Sequence, residues 1–94
     1  MNQNERMKAI AEKNGVQAGL VKKIVDSFVE SVVEEVAEEG SCTIFEFGRF
    51  DRRKVARRPY RDIRSGRNMM AQARWKMHFK PSNSLRKRFK EMPV

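Results

Sequence analysis

The chain has 94 residues, with 21 Lys and Arg against 12 Asp and Glu, a formal net charge of +9 and a pI near 10.3. That length suits one domain, and that charge favours a polyanion as partner, nucleic acid before acidic membrane or acidic protein. No apolar run approaches the roughly 20 residues of a membrane span, and the lone Cys42 rules out an intrachain disulfide and suits a reducing compartment, so the expected location is the cytoplasm.

Asn2, with Glu5 three residues on, forms a capping-box pattern, and Met7, Ile10 and Ala11 follow at helical spacing up to the stop at Asn14-Gly15. This predicts a short helix over 3–13. Val21, Ile24, Val25, Phe28, Val29, Val32, Val33 and Val36 then make one wide apolar stripe on a helix over 18–39, ended by Gly40. The first helix is too short to cover that stripe, and a second copy of the chain is the simplest cover.

After Gly40 the period becomes two. Cys42 and Ile44 alternate with Thr43, Phe45 and Phe47, which predicts two strands joined at Phe47-Gly48-Arg49, with Cys42 as a small buried residue. Residues 51–62 are extended and basic, Ser65-Gly66 is a turn signal, and 67–79 return. Apolar residues are scarce on both sides, so the hairpin should project as a solvated arm, mobile when alone. Pro81-Ser82 opens a last helix with Leu85 and Phe89 on its apolar face and Arg86, Lys87, Arg88 and Lys90 elsewhere. Most acids precede Gly40 and most of the basic residues follow it, so one half builds structure and the other meets an anion. The expectation is a single α+β domain over 1–94: a helical dimerisation part (1–40), sheet and β-ribbon arm (41–80), and a C-terminal helix and tail (81–94). With so much chain in the arm, the monomer core is small, which implies an intertwined dimer.

These features, in this order and spacing, resemble the HU/integration host factor family over nearly the whole chain. The matching residues are Met1-Asn2, Ile10-Ala11-Glu12-Lys13, Glu39-Gly40, Phe47-Gly48-Arg49-Phe50, Arg58-Pro59 ahead of Arg61, Ala73-Arg74, and Phe79-Lys80-Pro81 leading to Leu85. The chain departs from the family at the arm tip. Where the family usually has Arg-Asn-Pro, this chain reads Arg61-Asp62-Ile63 if aligned by hairpin length. A competing register, suggested by Arg64-Ser65-Gly66-Arg67-Asn68, puts Met69 at the tip but leaves the strands unequal, so Ile63 is preferred.

The resemblance implies an architectural protein that bends and compacts double-stranded DNA, its dimer laying two arms in the minor groove with an apolar wedge at each tip. The wedge is then Ile63. Arg57, Arg58, Arg61, Arg64 and Arg67 would meet phosphates or the groove; Arg52, Arg53, Lys54, Arg74 and Lys76 would also bind DNA, from the arm's root; Gly48, Arg49, Ser82, Asn83 and Arg86 would grip the flanks. Phe28, Val32, Val36, Phe47, Phe50 and Phe79 are expected to seal the dimer, a homodimer or a heterodimer with a paralogue, in the nucleoid. Trp75 is expected to pack at the arm's base, with stacking on DNA sugar as the other reading, and His78 to lie at the surface. No phosphate-binding glycine loop, metal-ligand cluster or nucleophile–base pair points to an enzyme, a cofactor, a metal or a small-molecule substrate. The alternatives are an RNA-binding chaperone and a basic adaptor for an acidic protein.

Overall fold

Asn2 caps the first helix as its spacing predicts. In the computed structural model, which describes residues 1–94, Asn2 Oδ1 accepts the Glu5 amide at 2.8 Å, and the Asn2 amide faces Glu5 Oε2 at 3.4 Å. Helix α1 runs Gln3–Asn14 and ends on Gly15, whose φ of 65° is left-handed and which most other residues would resist. Helix α2 spans Ala18–Glu39, as the stripe predicts. The chain divides into two compact units, Met1–Glu34 and Glu35–Val94, and α2 passes from the first into the second.

The first unit has a small core. Met7, Ala11 and Val21 are buried, with Ala18 and Val25 packed on them. Of the rest of the stripe there, Val32 is half-buried and Ile24, Phe28, Val29 and Val33 stand exposed, Phe28 by 52%.

In the second unit β1 (Ser41–Ile44), β2 (Gly48–Val55) and β5 (Arg74–Pro81) form an antiparallel sheet ordered β1-β2-β5. The expected strand joint at Phe47-Gly48-Arg49 needs correction. The turn is Phe45-Glu46-Phe47, closed by the Phe47 amide on Ile44 O at 3.0 Å, with Glu46 left-handed at φ 57°. Gly48 already opens β2, because that strand must pass close to β5. A Cβ on it would lie 2.5 Å from Phe79 Cε1 and 2.6 Å from Lys80 O. Phe47, Phe50 and Phe79 pack together, with ring centroids 4.8–6.4 Å apart. Cys42 is half-buried rather than buried. A hydrogen bond with Glu35, then desolvation, raises its thiol pKa.

β1 covers β2 only as far as Asp51. Beyond it β2 and β5 continue as a bare two-stranded ribbon from Arg52↔Met77 to Val55↔Arg74. The ladder then breaks at Ala56-Arg57 opposite Gln72-Ala73 and resumes as β3 (Arg58–Arg61) and β4 (Asn68–Ala71), with Arg58↔Ala71 still in the same register. Helix α3 (Asn83–Lys90) is capped by Ser82, whose Oγ accepts the Leu85 amide at 3.1 Å. The Ser82 amide donates to Phe47 O at 2.9 Å, which fixes the start of α3 to the β1–β2 turn.

Of the six residues expected to seal a dimer, only Val36 is buried within the chain. Val32 and Phe50 are half-buried, and Phe28, Phe47 and Phe79 are exposed. No helix is long and apolar enough to cross a membrane.

Candidate nucleic-acid interface

Strand alternation sorts the basic residues of β2 and β5 onto two faces. Arg49, Asp51, Arg53 and Val55 share one face with their partners Lys80, His78, Lys76 and Arg74. Phe50, Arg52 and Lys54 share the other with Phe79, Met77 and Trp75. Four predicted residues, Arg49, Arg53, Arg74 and Lys76, therefore come together on one cationic face, joined by Lys80, which the sequence reading missed. The signal for Lys80 was there: Arg74, Lys76, His78 and Lys80 recur at period two.

Arg52 and Lys54 do not belong to that face. Arg52 Nε donates to Val36 O at 3.2 Å, and its guanidinium lies 4.4 Å from the centre of the Trp75 ring. Trp75 thus packs at the arm's base, as expected, while remaining largely exposed. His78 is half-exposed at 38% of its side chain, with Nδ1 3.4 Å from Asp51 Oδ2. Asp51 also accepts from Arg53 Nε at 3.2 Å. Desolvation acts to raise the Asp51 carboxyl pKa, but the hydrogen bonds from Arg53 and His78, backed by their charges, outweigh it and lower the pKa. Asp51 is the one acid on the cationic face, and it is held by its neighbours.

The distal hairpin carries Arg58 and Arg61, three residues apart and so on opposite faces, with Arg57 in the ladder break. The tip is Asp62–Arg67. Asp62 organises it: Oδ1 accepts the Arg64 amide at 3.0 Å, Oδ2 accepts the Ser65 hydroxyl at 3.2 Å, and the Asp62 amide donates to Arg67 O at 2.9 Å. The Gly66 amide closes back on Asp62 O at 2.8 Å, with Gly66 left-handed at φ 69°. Asp62 is therefore spent on the turn. Ile63 next to it is 98% exposed. Met69 lies inside β4, opposite Tyr60, so the competing register is excluded and Ile63 is the apolar side chain at the tip.

At the other end of the sheet, Gly48 and Arg49 begin β2 opposite Pro81 and Lys80, next in sequence to Ser82 and Asn83. Ser82 Oγ is engaged by Leu85, which leaves the first amides of α3, at Asn83 and Ser84, as its free donors. Arg86 edges an open apolar groove lined by Phe79, Pro81, Leu85 and Phe89. No group of His, Cys, Asp and Glu is placed to hold a metal ion.

A family described as bacterial DNA-binding protein matches residues 1–90. Among solved structures, HU of Anabaena in a cocrystal with DNA superposes with a TM-score of 0.88 at 24% identity, covering 98% of this chain and 100% of that one. A valine-to-isoleucine variant of HU from Thermotoga maritima superposes with a TM-score of 0.67 at 26% identity, covering 95% and 99%. No curated protein is significantly similar in sequence.

Proposed function

The chain belongs to the bacterial DNA-binding protein family, and on that footing we propose that it bends double-stranded DNA as a dimer, with each β-ribbon arm in the minor groove and Ile63 as the wedge. Its function is architectural DNA binding, with the HU fold as scaffold. Neither the RNA chaperone nor the acidic-protein adaptor is favoured. In that role the protein acts on the nucleoid and carries out no catalysis.

One observation carries the wedge: a fully exposed Ile63 beside an aspartate that fixes the tip backbone. A β-branched side chain is stiff at χ1, so little rotamer freedom remains to be lost on insertion between base pairs. Unstacking one step costs a few kcal/mol, recovered when the bent duplex meets more protein surface. Arg57, Arg58, Arg61, Arg64 and Arg67 supply charge along the arm. Arg49, Arg53, Arg74, Lys76 and Lys80 supply it at the root, and the free amides at Asn83 and Ser84 a weaker site for phosphate.

The test is bending of a short duplex, read by energy transfer between its ends, together with the salt dependence of affinity. Ile63→Ala is expected to reduce the bend more than it reduces the slope of log K against log salt, because no charge is removed from the arm. Arg61→Ala is expected to make the slope shallower by about 1.8, one phosphate's worth of about 0.9 for each arm of the dimer. Full bending by Ile63→Ala would remove the wedge.

A further inference from the structure

The arm leaves the sheet at one identifiable step. Asp51 is the last residue of β2 with a β1 partner, and Arg52 is the first without one. At that residue a last backbone bond to the segment before β1 is joined by two side-chain interactions. The Arg52 amide donates to Gly40 O at 3.1 Å, its Nε donates to Val36 O at 3.2 Å, and its guanidinium lies 4.4 Å over Trp75 of the returning strand. Val36 O lies in the last turn of α2, at the negative end of the helix dipole; it already accepts the Gly40 amide at 3.0 Å and takes Arg52 Nε as a second, cationic donor. The guanidinium is thus engaged on both sides, by α2 from one strand and by the indole of the other.

The geometry points to Arg52 as a positioning residue, a brace that fixes the direction in which the arm leaves the sheet, and not as a contact to phosphate. The strand face supports this, because Arg52 lies on the side of Phe50 and Phe79, opposite the cationic ladder. A planar guanidinium suits the role, since it can stack on an indole and donate in its own plane at once. The inference deepens the DNA-bending reading and rests on it only for its DNA readouts.

Three variants and three measurements test it. Arg52→Met keeps an unbranched stem but removes the donor and the charge, and Arg52→Lys keeps the charge without the planar fork. In the free protein, amide exchange over 52–55 and 74–77 is expected to quicken about fivefold in Arg52→Met, the loss of roughly one net hydrogen bond, with α1 unchanged. Arg52→Lys should fall between parent and Arg52→Met. Trp75→Leu removes the stack from the other strand and is expected to give the same local acceleration.

On DNA, Arg52→Met is expected to keep the parental salt slope and to give a smaller, broader distribution of bend angles. A slope reduced by about 1.8, one phosphate for each subunit, would make Arg52 a phosphate ligand and overturn the proposal, as would unchanged exchange over both segments. If the parent itself does not bend DNA, the bending reading fails, while the exchange measurement still decides whether Arg52 braces the arm.

Discussion

Gly48 and Asp62 each do a backbone job that neither composition nor charge would suggest. At 48, an added methyl would meet the Phe79 ring and the Lys80 carbonyl; the ring can tilt, but the carbonyl belongs to the β2–β5 ladder. Gly48→Ala is therefore expected to destabilise the fold by about 1–3 kcal/mol, as overpacking does, measurable as a lower denaturant midpoint. At 62, Asn keeps an Oδ1 to accept the Arg64 amide and puts an amide donor where Oδ2 accepts the Ser65 hydroxyl, which can turn to accept instead, whereas Ala offers neither. Asp62→Asn is expected to preserve DNA bending, and Asp62→Ala to reduce it along with the dispersion of the tip resonances in NMR spectra. Ile63 as tip residue was readable because matched hairpin strands demand it. The jobs of Arg52 and Lys80 were not read: charge alone says nothing of which side of a ribbon a residue faces, and that follows only from a register anchored at Phe50↔Phe79.

The helices were legible almost residue by residue, since a cap at Asn2, a left-handed glycine at 15 and a long apolar stripe are local signals. The strand turn was not, because Phe47-Gly48 reads as a turn dipeptide while the chain puts left-handed Glu46 in the turn and uses the glycine for clearance. Helix α3 depends on Ser82, whose hydroxyl caps it and whose amide holds the β1–β2 turn. Ser82→Ala is expected to cost about 1 kcal/mol, read in thermal melts. The β2–β5 ladder has an acid-sensitive link. The Asp51 carboxyl is depressed, so its contribution is complete above the ordinary carboxylate pKa and is lost as pH falls through the lower folded value. Asp51→Asn is expected to flatten the acid limb of stability below about pH 4, its loss being fullest near neutral pH and vanishing in acid, where the parent carboxyl is itself protonated.

Across the molecule, the apolar surface exceeds what one chain covers. Only Met7, Ala11, Val21 and Val36 form the buried hydrophobic set, while Phe28, Phe47, Phe79 and Phe89 stand exposed. A core of that size does not offset the entropy of ordering a chain this long. The cover is inferred to be a second copy, as the stripe on α2 suggested from sequence. The melting temperature should then rise with protein concentration, since unfolding is coupled to dissociation, and sedimentation at micromolar concentration should show the dimer. A folded monomer there would overturn the inference. Which residues meet across the dimer was not legible, because an apolar stripe shows that it must be covered without showing by what.

The interruption at Ala56-Arg57 and Gln72-Ala73 has a kinetic meaning. It divides the arm into two short zippers in one register, so the distal one can open and close while the proximal one stays paired. If the arm holds DNA as proposed, its release is expected to be stepwise. A distal hairpin that lets go remains tethered at high effective concentration and recaptures the same stretch unless another ligand takes it first. The residence time of the complex should therefore shorten as free duplex is added, rather than stay constant as it would for a one-step departure. Such a protein would persist on sparse DNA and be exchanged quickly on crowded DNA.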